Sequence, residues 1–125
     1  MQYDVIIIGA GPGGIFSAYE LSKLCPDKKI AVFEEGQPLE KRRCPIDGKK
    51  VKSCIGCKSC SIMSGFGGAG AFSDGKYNLT NEFGGTLYEY IGKQKAMELM
   101  RYVDDINVAC GGAGTKLYST ADSGF

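Results

Sequence analysis

Two apolar runs and the helical pattern between them organise the first third of the chain. Val5-Ile6-Ile7-Ile8 is unbroken and β-branched behind Tyr3-Asp4, and Ile30-Ala31-Val32-Phe33 is a second short run. Runs of this length read as buried strands of a parallel sheet. Between them Ile15, Phe16, Tyr19 and Leu21 share one face of a helix predicted from Gly13 to Leu24. Pro26 follows its end, and Pro26-Asp27-Lys28-Lys29 is a polar turn into the second strand. After Glu35-Gly36 the periodicity dissolves, and residues 37–85 read as a loop-rich segment dense in cysteine and glycine. Within it, residues 77–85 read as loop or short strand. Thr86 is placed to cap a short helix that ends at Gly92. The clearest helix follows at Lys93–Ala109, where Ala96, Met97, Met100, Val103 and Val108 form a stripe that Leu99 and Ile106 broaden. Gly111-Gly112 stops it, so residues 86–110 are expected to be helical. Residues 115–125 carry no pattern that assigns an element.

The join between the first strand and the first helix holds the most specific signal. It reads Gly9-Ala10-Gly11-Pro12-Gly13-Gly14, and the second strand ends on Glu34, twenty residues beyond Gly14. Strand, G-x-G-x-x-G turn, helix, strand and acid make up the dinucleotide-binding fingerprint. Gly9 permits a tight exit from the strand, Gly11 lets backbone approach a pyrophosphate, and Gly14 lets the helix lie close on the strand. Pro12 lacks an N–H where helix donors are unpaired in any case. The free N–H groups near Gly13 and Gly14, at the positive end of the helix dipole, would face the phosphates. Glu34, with Glu35 beside it, would meet the adenosine ribose. Its charge disfavours a 2′-phosphate and hence NADP.

At 125 residues the chain is bounded to one small domain. The pattern predicts the α/β class, as the N-terminal part of a Rossmann-like domain spanning residues 1–125. Only two strands are legible, and two strands do not make a self-sufficient sheet. The sheet is therefore expected to be incomplete, with the rest of the fold supplied by a missing C-terminal part of a longer enzyme. A net charge of +1 implies no general attraction to nucleic acid or membrane. No apolar run approaches a membrane span and no signal peptide is present, so a cytoplasmic location is expected. The absence of histidine removes imidazole chemistry from this segment.

Six cysteines in an apparently cytosolic chain point to metal or redox chemistry more than to a disulfide framework. Cys54-x-x-Cys57-x-x-Cys60 has the spacing that opens a bacterial ferredoxin run, but Ser64 stands where the fourth cysteine would be. Cys44, before Pro45, is the alternative fourth ligand. Four thiolates would suit a [4Fe–4S] cluster or zinc, with Lys49, Lys50, Lys52 and Lys58 helping to keep them charged. A C-x-x-C pair cycling as a disulfide and plain unligated loop cysteines are the other readings. Cys25 and Cys110, near helix ends, read as packing residues.

The ordered set of motifs carries a resemblance beyond the fingerprint. Asp4–Gly14 and Ala31–Gly36 resemble the N-terminus of FAD-dependent oxidoreductases of the glutathione-reductase type. With Arg42-Arg43-Cys44-Pro45, the cysteine run and Ile62–Lys76, residues 3 to about 110 are similar to a family of bacterial FAD-dependent, or NAD(FAD)-utilising, dehydrogenases whose members are several times longer. The resemblance implies FAD as cofactor, an unidentified small-molecule substrate, and NAD(P)H as a possible electron donor. It places Gly67, Gly68 and Ala69 beside the flavin, with Ser73 and Asp74 as hydrogen-bonding groups. Phe66 and Phe72 are expected to be buried there. It also brings Arg42 and Arg43 to FAD phosphate or ribose, whereas without the resemblance the basic run reads as a solvated loop. The alternatives are an NAD-binding dehydrogenase module and a non-enzymatic module holding metal or an iron–sulfur cluster through cysteine. No residue qualifies as a catalytic acid or base.

Overall fold

The computed structural model describes residues 2–73, 77–82 and 84–112. The fold is mixed α/β. Strand β1 spans Val5–Ile8 and strand β2 spans Ile30–Phe33, and they pair in parallel with Val5 opposite Ile30 and Ile8 opposite Phe33. Among the described residues the sheet has these two strands and is incomplete. Helix α1, Pro12–Leu24, connects them and packs on both. Asp4 closes the lower end of the pair, its Oδ2 accepting the Lys29 amide at 2.8 Å while its own amide donates to the Lys29 carbonyl at 2.9 Å. At the upper end the Gly9 amide donates to the Phe33 carbonyl at 2.6 Å.

The strands were expected to be buried on both faces, and the structure differs. Val5 and Ile7 are half-buried, with Ile7 directed at Gly14 of α1, whereas Ile6 and Ile8 are 57% and 80% exposed. Val32 and Phe33 are exposed as well. Helix α1 covers one face of the sheet, and an apolar run of this kind is a two-sided strand that needs a second layer.

Contacts divide the chain into two compact units, Met1–Ser73 and Asp74–Phe125. In the second unit, helix α2 spans Leu87–Ile91 and helix α3 spans Lys93–Asn107, meeting at Gly92 with φ of 82°. Thr86 occupies the N-cap of α2, but its side chain makes no capping bond. Most of the stripe foreseen on α3 is its packed face, but Val108 falls beyond the helix and is exposed. Ala96 is fully buried and Met97, Met100, Val103 and Ile106 are half-buried, while Leu99 stays exposed. The regular helix ends at Asn107, two residues earlier than expected, and a π-type turn carries Val108–Gly112. Cys25 caps the C-terminus of α1 and Cys110 lies in that turn. Both are exposed and neither packs as a core residue, because each falls where its helix runs out of covered surface. Among the described residues no helix is long and apolar enough to cross a membrane.

Candidate functional site

The two parallel strands end side by side, and the chain must turn sharply out of both. At β1 the turn is Gly9, whose φ of 97° lies in the region that excludes most L-residues. At Gly14 a Cβ would overlap the Gly9 carbonyl, so only glycine lets α1 sit this close to the turn that launches it. Helix α1 begins on Pro12 with Gly11 as N-cap and has no acid in its first turn. The first intrahelical donor is the Ile15 amide, which reaches the Gly11 carbonyl at 3.0 Å. The amides of Gly13 and Gly14 precede it and have no intrahelical acceptor.

At β2 the chain ends on Glu34, and its carboxylate is held by backbone. Oε2 accepts the Ala10 amide at 2.7 Å, and Oε1 accepts the amides of Gly36 at 2.9 Å and Gly65 at 3.0 Å. One side chain thus joins the glycine turn, the end of β2 and the second glycine stretch. The Ala10 and Gly36 amides first, then that of Gly65 and the Arg42 charge, hold the carboxyl below its usual 4.5, against a smaller opposing desolvation.

The second glycine stretch lies on the first. The Gly67 amide donates to the Ala10 carbonyl at 2.8 Å. A Cβ at Gly68 would stand 3.1 Å from the Gly11 Cα and 3.2 Å from the Pro12 Cδ. A cleft of about 360 Å³ opens above the strand ends, lined by Ile8, Gly9, Gly11, Phe33, Glu34 and Glu35 on the strand side and by Met63, Ser64, Gly65 and Gly68 opposite.

The wall Met63–Gly68 is fastened by a residue the sequence presented as a loop cation. Arg42 is 3% exposed. Its Nε donates to the Ser61 carbonyl at 2.9 Å, and Nη2 to that of Ile62 at 2.7 Å. Its Nη1 donates to the carbonyls of Phe66 at 2.7 Å and Gly68 at 2.8 Å. The Phe72 ring lies under the guanidinium at 4.7 Å. Arg42 is therefore committed largely to protein carbonyls, which take four of its five N–H donors. Arg43, its neighbour, is exposed and not among the residues lining the cleft. No local signal separates the two arginines. The only available hint was that a long irregular segment needs a source of hydrogen-bond donors for its carbonyls.

Of the predicted cofactor residues, Gly9, Gly11, Glu34, Glu35 and Gly68 meet at the cleft. Pro12, Gly13 and Gly14 form the helix start beside it. Gly67 ties the two glycine stretches together. Ala69 lies in a 3₁₀ turn, Ala69–Phe72, and is exposed, as is Ser73 after it. Asp74 falls outside the described residues. Phe66 and Phe72 are 54% and 44% exposed, not buried as expected, because the stretch between them is stabilised by Arg42 and backbone bonds instead of a core.

The cysteine segment forms its own site. A tight turn orders Asp47–Val51, where Asp47 Oδ1 accepts the amides of Lys49, Lys50 and Val51 at 2.8 to 2.9 Å. Cys44, Cys54, Cys57 and Cys60 all line one cavity of about 100 Å³, together with Ile46 and Ile55. All four are free thiols, with Cys60 half-buried and the others exposed. Among the described residues no three cysteine or acidic side chains stand together as a metal site would require. The Cys60 thiol is held below its ordinary 9.0 by the amide of Met63, then by that of Ile62 and the Arg42 charge, with desolvation opposing.

No family model matches the chain, and no solved structure does. Over 71 residues it is 37% identical to an uncharacterized protein of Clostridium beijerinckii, covering 57% of this chain and 13% of that protein. A 35-residue segment is 54% identical to a thiamine thiazole synthase of Yarrowia lipolytica, covering 28% of this chain and 11% of the relative. A 43-residue segment is 40% identical to a mitochondrial electron transfer flavoprotein-ubiquinone oxidoreductase of rice, Oryza sativa subsp. japonica, covering 31% and 8%. The chain thus spans a small fraction, about an eighth or less, of the curated relatives it matches.

Proposed function

We propose that this chain is the FAD-binding portion of a flavin-dependent oxidoreductase, built as the start of a Rossmann-like domain. One observation carries the reading: the cleft at the carboxyl ends of β1 and β2 unites the glycine turn, the start of α1 and Glu34. Open α/β sheets bind their ligands at this edge. The donor set suits a dinucleotide. The amides of Gly13 and Gly14 and the positive end of α1 match a pyrophosphate, and no acid in the first turn opposes it. Glu34 Oε2 accepts one amide, that of Ala10, so it keeps a lone pair for a ribose hydroxyl, and Glu35 borders the same space. Bound there, FAD would supply hydride or electron transfer, while these residues bind and orient it. The likeness, over 43 residues, to a relative named as an electron transfer flavoprotein-ubiquinone oxidoreductase agrees with this reading.

The test is flavin content in the whole protein, released by heat and read by absorbance. A Cβ at Gly13 meets nothing within 4 Å, so Gly13→Glu adds a carboxylate without a clash. An acid in the first turn favours the helix while repelling a pyrophosphate. The variant is expected to lose its flavin and, with both proteins stripped of flavin, to melt no lower than the wild type. Flavin retained in full by Gly13→Glu, or wild-type protein that cannot take up FAD, rejects the assignment.

A further inference from the structure

A net charge of +1 hides an uneven distribution. Residues 41–58 hold seven of the 15 Lys and Arg but one of the 14 Asp and Glu, Asp47, so the rest of the chain is acidic on balance. Arg42, one of the seven, is buried on carbonyls. The other six, Lys41, Arg43, Lys49, Lys50, Lys52 and Lys58, are exposed, and among the described residues none is joined to an acid. Asp47 Oδ1 accepts the amides of Lys49, Lys50 and Val51, so the segment's acid orders its turn instead of pairing with its lysines. The segment is also compact. Ile46 and Ile55, from separate parts of it, line the same cavity of about 100 Å³, which gathers the cations that flank them into one loop. Both isoleucines nevertheless face water, 43% and 61% exposed.

We propose that residues 41–58 are a docking loop for an anionic lipid surface, with the six cations at the headgroups and Ile46 and Ile55 entering the interface below them. Clusters of this many lysines and arginines suffice to hold a protein at such a surface, because each adds its own attraction and none needs a fixed partner. The composition favours lipid over the other polyanions. Five of the six cations are lysines, and residues 41–58 contain no aromatic ring. Protein interfaces are enriched in arginine and aromatics and depleted in lysine. Single-stranded nucleic acid is held by stacking on aromatic rings, of which the loop has none. A bilayer takes lysine readily, since the long stem lies along the apolar layer while the ammonium stays in water. It also gives the exposed isoleucines somewhere to go, which a phosphate backbone does not.

Co-sedimentation of the whole protein with vesicles tests this. Vesicles of phosphatidylcholine with about 30% phosphatidylglycerol should bind it, and vesicles of phosphatidylcholine alone should not. Raising salt from about 0.1 M to about 1 M shortens the screening length from about 10 Å to about 3 Å and should release it. Lys49→Gln, Lys50→Gln and Lys52→Gln together should weaken binding roughly a hundredfold. The turn they occupy is held by their backbone amides, so the protein should keep its fold. Lys29→Gln with Lys95→Gln, outside the loop, should leave binding unchanged. Ile55→Ser should weaken it roughly tenfold, because the side chain no longer enters the interface. None of these residues lines the dinucleotide cleft, so flavin content should stay at the wild-type level throughout. The proposal is overturned by absence of binding to the anionic vesicles, by equal binding to both vesicle types, or by a triple variant that binds as the wild type does. Binding that ignores Ile55→Ser and is competed away by a DNA duplex or by polyglutamate would overturn it as well, in favour of nucleic acid or an acidic protein.

Discussion

The two glycine-rich regions of the first unit have similar composition and are held in different ways. Gly9–Gly14 is shaped mainly by local elements: a strand feeds it, a helix leaves it, and Gly14 answers to the Gly9 carbonyl, while Ala10 is also tied to distant groups, Glu34 and Gly67. Among the described residues, Gly65–Phe72 has no regular element on either side, only the 3₁₀ turn within it. Its position comes from distant side chains, Glu34 binding the Gly65 amide and Arg42 the carbonyls of Phe66 and Gly68. A glycine loop can thus be rigid either because the elements around it leave no choice or because charged side chains, here the buried Arg42 and the half-buried Glu34, satisfy its backbone. In the second case the groups that order it lie outside the loop.

Removing the anchor of the second region should have the largest effect. Arg42→Met keeps much of the side-chain volume but leaves four carbonyls without their donor, and it should cost about 4 kcal/mol of unfolding free energy. Arg43→Met, on the exposed neighbour, should stay within about 0.5 kcal/mol. Urea denaturation of the whole protein measures both, and equal costs would erase the distinction between the two glycine regions.

The next comparison sets two glycines against each other. A Cβ at Gly36 would overlap the backbone of Gly65, approaching its Cα to 2.5 Å, so Gly36→Ala must push the second stretch away. It should destabilise by roughly 1 to 3 kcal/mol. Gly13→Ala meets nothing within 4 Å and should stabilise by up to about 1 kcal/mol, because it removes glycine entropy from a helix. Thermal melts of the two variants should move in opposite directions.

Glu34→Gln sharpens the role of the acid that bridges both regions. The amide can accept through one oxygen only, and its NH₂ faces backbone N–H groups, so the melting temperature should fall at neutral pH. The Glu34 carboxyl lies below its ordinary 4.5 in the folded state, and the stability it adds is therefore complete above that value. It drains away as pH falls through the lower folded value. The gap between wild type and variant should close in acid, and a gap independent of pH would deny the carboxylate this role.

The smallest effect belongs to the cysteine segment. Asp47→Ala should speed amide exchange at Lys49, Lys50 and Val51, whose donors it frees, and leave the cleft residues unchanged. Exchange measured by mass spectrometry would reveal any spread to Gly65–Gly68, which would join the two sites more closely than their hydrogen bonds do.

Much of the chain was legible because its determinants are short-range. The spans of β1 and β2 follow from unbroken apolar runs, the start of α1 from glycine stereochemistry, and the stripe on α3 from a period of 3.6 residues. The sharing of one cavity by Cys44, Cys54, Cys57 and Cys60 was half-visible, since three of them are three residues apart and Cys44 is not. The burial of Phe66 and Phe72 was misjudged because apolarity predicts burial only where a second layer exists to cover the ring. The same applies to Ile6 and Ile8, whose face of the sheet has no covering element among the described residues.

The sequence by itself determined the strand–turn–helix–strand order, the glycines that make its tight turn possible, and the acid at the end of β2. Those depend on steric limits that each residue carries with it. Only the tertiary structure decided that Glu34 would clasp three amides from separate segments. It also decided that Arg42 and not Arg43 would be buried, and that the second glycine stretch would form a wall of the cleft. Two adjacent arginines have the same propensity and the same charge. What separates them is which one meets a cluster of unpaired carbonyls, and that cluster exists only once residues 61–68 have folded back over the start of the helix.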